Sequence, residues 1–297
     1  MDRITQEFDF ATYFLHRDHG ITKVALPEGV TYKGNNWIEL NPSYLRGRFL
    51  DDKGEVIKIN PQLKILVQKV YEERIKVLFG EYSAKGNLIK KGYINFIENR
   101  ENPTGIYKHI LKEAAAQGKF RFHTYTDSEG NEKQSLSGYE PKDPGKYNIV
   151  IIDHCRKITT ERGYTLKQNL DKFFEYLVYL RNLLQWTFVP IMHTNRNITD
   201  VSTMKFLGEY LYPAGDSIKD SGNLSEDCNI LFTLLNPNDT QYNLSKHFGL
   251  KIKDSMGNEL YPNLRTVHIA ESRECSFPQH FRFNMVGNLK TFKNFTE

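Results

Sequence analysis

The sequence predicts an α/β fold, a parallel sheet with crossover helices closed by an antiparallel finish. Three observations predict it. Residues 149–152 (IVII) form a continuous apolar run that stops on an acid, Asp153, which is the pattern of a strand buried on both faces. Residues 165–184 carry Leu166, Leu170, Phe173, Leu177, Leu180 and Leu184 on one helical face. A second apolar run, 186–196 (WTFVPIMHTNR), follows. Strand, helix and strand in that order make the unit that builds a parallel sheet.

The other elements follow in chain order. Ile4, Phe8, Ala11, Phe14 and Leu15 predict a helix over 2–16, so the chain opens inside a helix. Residues 20–60 are mixed and turn-rich, and predict an irregular segment. Residues 60–82 predict an amphipathic helix ending near Gly80, and 92–100 (GYINFIENR) a strand. Residues 102–118 predict a helix with Asn102 as N-cap, Pro103 in the first turn and Gly118 at the stop. Residues 119–146 are polar and rich in turn formers, and predict an inserted hairpin or loop. Beyond 196, strands are predicted at 227–235 and 264–273, then a closing hairpin over 280–295 around Gly287.

The 297 residues are 39% hydrophobic and 26% charged, enough to bury a core without staples. A net charge of +4 permits a local nucleic-acid groove without demanding one. Cys155, Cys228 and Cys275 lie far apart with no C-x-x-C pair, which excludes a disulfide framework or zinc motif and fits a reducing interior. The N-terminal residues lack a signal-peptide core, and no stretch approaches a membrane span. These features imply a soluble intracellular protein.

In sheets of this class ligands sit at the carboxyl ends of strands. Asp153, His193, Asn195 and Arg273 all fall at predicted strand ends, and are expected to line one crevice. Asp153 has the placement of an acid that holds magnesium on a nucleotide's phosphates; it equally fits an acid capping the following turn. His193, Thr194, Asn195 and Arg196 form a polar exit that suits γ-phosphate sensing or an ordinary solvated loop. Residues 219–229 (KDSGNLSEDCN) suit a loop offering Lys219 and backbone N–H groups to a phosphate backbone, or a surface turn. Arg273 suits an arginine finger or an exposed strand end.

Taken in order, IVIIDHCRKI, VPIMHTNR, DSGNLSEDCNILF, IAESRECS and FNMVGNLKTF resemble the motifs of DnaB-type replicative helicases, with a RecA-like motor core. SGNLSEDCN is the most specific match. The resemblance covers residues 92–295 well and the first 90 loosely. It implies one RecA-like core over 1–297, with 20–60 and 119–146 as irregular or inserted segments and an N-terminal strand–helix unit missing. It implies ATP and Mg²⁺ as cofactors and a homo-hexameric ring on single-stranded DNA. A primase or helicase loader is the implied partner, in the cytoplasm of a bacterial cell or phage-infected host.

Residue by residue, Asp153 resembles the magnesium-binding Walker B acid, and Asn195 and Arg196 the sensor exit. His193 stands where the family has Gln. Arg156, Lys157 and Arg162 resemble the first DNA loop. Lys219, Ser221, Gly222 and Asn223 resemble the second, with Glu226 and Asp227 in its continuation. Arg273 resembles the arginine finger, yet the family's Lys two residues earlier is Glu271 here, and its following Gly is Cys275.

The family's phosphate loop is absent, because no G-x-x-x-x-G-K-[ST] occurs in the 297 residues. Met1 coincides with the Met of the family's S-L-E-M motif, so the loop and the catalytic Glu are expected on its N-terminal side. Three explanations arise: a fragment of a longer reading frame, a split helicase whose other half docks by strand addition, and a binding module without a motor. Outside the family stand a recombinase or KaiC-like ATPase, and a metal-dependent nuclease using Asp153 and His154.

Overall fold

The computed structural model describes residues 3–83, 85, 87–97, 101–194, 201–217, 227–276, 278–287 and 291–296. The chain divides into two compact units, residues 1–98 with 283–297, and residues 99–282.

The first unit opens with helix α1 (Arg3–His19), short strands β1 (Lys23–Ala25) and β2 (Trp37–Glu39), and a single helical turn α2 (Pro42–Leu45). Helix α3 (Pro61–Val70) runs through one π turn (Tyr71–Ile75) into α4 (Lys76–Phe79). Asn60 caps α3 by accepting from the Gln62 amide. Gly80 ends the helix with a left-handed φ of 89°, and a side chain there would strike the Lys90 carbonyl. Strands β3 (Gly80–Tyr82) and β4 (Leu88–Lys91) pair next. The core gathers Leu15, Ile38, Leu40, Tyr44, Ile57, Ile75 and Phe79. The buried Tyr44 hydroxyl accepts from the Asn60 amide and donates to the Lys58 carbonyl, which ties the turn-rich segment to α3.

The strand expected over 92–100 is not one among its described residues, 92–97. The Tyr93 and Ile94 amides donate to the Val77 and Leu78 carbonyls. They satisfy the exposed C-terminal carbonyls of α4 rather than a ladder. Phe96 stacks on Phe79 at 5.4 Å, so Ile94 and Phe96 are half-buried against the core without a sheet.

The second unit begins with α5 (Pro103–Gln117), capped by Asn102, whose side chain accepts from the Gly105 amide at 2.8 Å. At Gly118 the helix gives way directly to a long antiparallel hairpin, β5 (Gly118–Thr126) and β6 (Glu132–Pro141), which is the inserted segment. Strand β7 (Ile149–Asp153) leads through a 3₁₀ turn (Cys155–Lys157) and a loop to α6 (Leu166–Leu184). A Thr165–Gln168 capping box starts α6, and Gln185 in a left-handed conformation ends it. Strand β8 (Thr187–Ile191) then lies parallel to β7, Ile149 opposite Thr187 and Asp153 opposite Ile191. Helix α7 (Val201–Leu207) and strands β9 (Ile230–Leu235), β10 (Lys246–His247), β11 (Leu250–Lys251) and β12 (Leu264–Ser272) follow. Strand β13 (Gln279–Val286) crosses into the first unit, where it pairs with β14 (Thr291–Asn294) as the closing hairpin.

Among the described residues the strands form six small sheets, one of four strands in the order β14-β13-β12-β9 and five of two. The fold is mixed α/β, but among the described residues β7 and β8 are the extent of the parallel sheet. Burial of β7 on both faces is also corrected. Val150, Ile152 and Phe188 pack under α5 and α6, with Ile110, Leu170, Phe173 and Leu180. Both helices lie on that one face, so Ile149 and Ile151 are each 64% exposed on the other, beside exposed Val189 and Ile191.

Leu170→Ala, at a fully buried position of α6, is expected to cost about 2–5 kcal/mol. The measurement is the urea midpoint at unchanged slope. Ile151→Thr on the bare face is expected to stay within about 0.5 kcal/mol. An equal cost for both would mean that the bare face is covered in solution.

Candidate functional site

The parallel pairing brings the carboxyl ends of β7 and β8 side by side. Asp153 is the last residue of β7 and is solvent-exposed. Among the described residues no hydrogen bond or ion pair engages its carboxylate. His193 lies two residues beyond β8. His154, which sequence reasoning tied only to a nuclease, is the residue that joins them: its ring meets His193 edge-on at 4.4 Å between centroids. His154 Nδ1 is buried without a hydrogen-bond partner. Burial holds the His154 imidazole below its ordinary value, with His193 adding to the effect and Asp153 opposing it. The next residue, Cys155, is buried under α6, which pushes its thiol up to about 12 and leaves it an inert packing group.

Arg156 and Lys157 occupy the 3₁₀ turn directly after this corner. Arg162 follows in a loop that is fastened at both ends. The Glu161 carboxylate accepts from the Thr104 amide at the start of α5 (2.9 Å) and from Lys172 Nζ on α6 (2.6 Å). The Glu161 amide donates to the buried Asn169 side chain, which in turn donates to the Thr159 carbonyl. The Lys172 ammonium beside it, then the Thr104 donors, hold the Glu161 carboxyl down to about 2. Arg162 and Lys108 line an open cleft of about 490 Å³ with Asn102, Thr104, Gly105 and Glu161. No sequence pattern announced the Glu161–Lys172 pair, because its partners are joined by a loop and not by helical spacing.

Arg273 stands apart. Its amide donates to the Asn229 carbonyl. Arg181, in the last turn of α6, bonds the Asp227 carbonyl and the Asn229 side chain. About 16 Å of helix separates Leu170 from Arg181, so Arg273 is tied to the end of α6 remote from Asp153. Adjacent strand ends thus carry Asp153 and lead to His193, while Arg273 lies by the other end of α6. Asn195, Arg196, Lys219, Ser221, Gly222, Asn223 and Glu226 lie outside the described residues.

A lone exposed carboxylate at a strand end fits one ligand of a magnesium ion that keeps its waters and phosphate oxygens. Among the described residues no group of three His, Cys, Asp or Glu side chains is placed to hold a metal by itself. No described helix is long and apolar enough to cross a membrane.

No protein-family model and no curated protein matches the chain. Two solved chains to which it is similar are a replicative helicase and an ATPase domain, each at 14% sequence identity. The first is the structure of a DnaB-like replicative helicase and its interactions with primase, with a TM-score of 0.45 over 68% of this chain and 36% of that chain. The second, the ATPase domain, has a TM-score of 0.44 over 66% of this chain and 52% of that chain. The chain thus spans 36% and 52% of the lengths of these two structures.

Glu161→Gln is expected to loosen the loop and cost about 1.5–3 kcal/mol at pH 7. The folded carboxyl ionises below its unfolded value, so its contribution is complete above the ordinary carboxylate range and is lost as pH falls through about 2. Urea unfolding of both proteins from pH 7 to pH 2 should show the gap closing with acid. A constant gap would assign the cost to packing instead.

Proposed function

We propose that the chain carries the downstream part of an ATP-driven DNA motor of the DnaB replicative-helicase type. The observation that supports this best is Asp153, exposed and, among the described residues, unengaged at the carboxyl end of β7 in a parallel β7–α6–β8 unit. In this reading Asp153 takes the Walker B role and holds Mg²⁺ on ATP. The bound Mg²⁺ supplies neutralisation of charge on the transferring phosphoryl group. His193, backed by His154, hydrogen-bonds phosphate in place of the family's Gln, with Asn195 and Arg196 completing the sensor exit. Residues 1–297 belong to one motor core, of phage type given the β5–β6 insertion.

The working assembly is a homo-hexamer around single-stranded DNA, served by a primase or a helicase loader. Arg156, Lys157 and the clamped Arg162 form the first DNA loop; Lys219, Ser221, Gly222 and Asn223 form the second. Arg273, held at the end of α6 away from Asp153, serves a neighbouring subunit's nucleotide. Glu271 in place of the family's Lys weakens that service by reversing a charge.

A second reading, a DNA-binding or assembly subunit without catalysis, is favoured by one fact. The 297 residues contain no G-x-x-x-x-G-K-[ST]. That loop's N–H groups and lysine are what cradle the β- and γ-phosphates in nucleotide hydrolases of this kind.

The discriminating experiment assays the 297-residue chain for single-stranded DNA binding and ATP hydrolysis, alone and mixed with the products of neighbouring genes. DNA binding should weaken steeply with salt, and Lys157→Ala with Arg162→Ala should flatten that dependence by about one to two contacts. Hydrolysis by the chain alone should stay at background and appear only with a partner that supplies a phosphate loop. Asp153→Asn should abolish it there. Hydrolysis by the chain alone would overturn the missing-loop reading, and Mn²⁺-dependent DNA cleavage would replace the helicase reading with a nuclease.

A further inference from the structure

The second unit contains a nest of three histidines far along the chain from Asp153. His268, in the middle of β12, is fully buried at 0% exposure, and His247 at the end of β10 is 1% exposed. His280 at the start of β13 is half-buried. His268 Nδ1 and His280 Nδ1 face each other at 2.6 Å, and His268 Nε2 lies 2.9 Å from the Thr266 hydroxyl. His247 Nε2 donates to the Leu211 carbonyl at 2.9 Å. Tyr212 stacks on His268 with centroids 5.3 Å apart, and Phe248 covers His280 at 3.7 Å.

The proton count in this nest is fixed by geometry. Two Nδ1 atoms in hydrogen-bond contact share one proton, because two lone pairs or two N–H groups facing one another repel. His247 spends its one N–H on a carbonyl. The nest therefore closes in the neutral state of all three rings. One added proton places a full charge among Tyr212, Phe248 and a second imidazole; protonating both His268 and His280 breaks their contact outright.

Among the described residues, the groups that face the nest and can carry charge share one sign. They are the histidines themselves and Arg282 on β13, whose guanidinium bonds the Phe248 carbonyl. Tyr212 and Thr266 contribute hydroxyls without charge. Burial, then the neighbouring rings, pushes His268 down to about 3, and burial lowers His247 and His280 as well.

We propose that the His247–His268–His280 nest is an acid-sensitive latch, which holds Gln279–Arg282 of β13 and the Tyr212 segment against β12 at neutral pH and releases them on acidification. Histidines freed by opening titrate near their ordinary value of about 6.5, so opening takes up protons that the closed nest refuses. The opening equilibrium then grows by up to about tenfold per pH unit for each histidine released.

The test uses the full chain. Hydrogen exchange at β12 and at residues 279–282 is followed from pH 7.5 to pH 5.5 and corrected for intrinsic exchange, together with NMR titration of the histidine ring protons. The latch predicts at least a tenfold rise in the opening equilibrium of these amides, and a His268 resonance that stays neutral down to pH 5. His280→Gln should lessen the pH dependence, whereas His123→Gln on the exposed hairpin should leave it as in the unmodified chain. A flat exchange profile, equal profiles for His280→Gln and His123→Gln, or a folded-state His268 titrating near 6.5 would each overturn the proposal. If His280→Gln does not fold, the exchange and titration of the unmodified chain decide alone.

Discussion

The second unit depends on one constraint, that β7 and β8 run parallel. Parallel neighbours cannot be joined by a tight turn, so the chain must leave β7, cross the sheet and return. α6 is that crossing, and its buried row of Leu170, Phe173, Leu177, Leu180 and Leu184 is what holds the pair together. The same helix anchors the surroundings of the candidate site. Its first turns receive Cys155, Ile158 and the Glu161 loop, and its last turn receives Asn229 through Arg181. The candidate site is therefore a property of the crossover connection more than of any motif.

How much was legible follows from how local each signal is. The apolar face of α6 could be read from spacing alone, and five of its six named positions are buried. Asn102 and Pro103 open α5 as their backbone chemistry requires, while Gly118 ends it in extended backbone and leaves room for the Tyr139 ring and the Glu140 carbonyl. Residues 92–97 failed because alternation reports one covered face without saying what covers it, and here Ile94 and Phe96 are covered by the first unit's helical core and Phe79 in place of a paired strand. The burial of β7 failed for a related reason. Four apolar residues state a preference for two covered faces, and whether both are covered depends on where α5 and α6 lie.

At the site, Asp153 and His193 could be expected near one another from the sequence because one ends, and the other follows, two neighbouring strands. His154 could not, since strand alternation sends a residue next to Asp153 to the opposite side. The buried Asn169 shows the limit most plainly. Its position on α6 is one that periodicity reserves for an apolar residue, and it is polar because it must satisfy the Glu161 amide and the Thr159 carbonyl. Loop anchoring of this kind is written in pairs of residues without fixed spacing.

The β5–β6 ribbon has a consequence of a practical kind. Its nine and ten residues extend roughly 30 Å, and only the base, at Phe120 and Tyr139, packs into the core. The tip is a tight turn over Asp127–Asn131 closed by its own backbone bonds, with Gly130 at a left-handed φ of 84°. Such a tip accepts foreign residues without disturbing what lies beneath. A dye or an affinity peptide inserted at Ser128–Glu129 would sit on exposed residues, most of a strand length from where the ribbon packs into the core. The molecule thus carries its own attachment point for watching it bind, assemble or open.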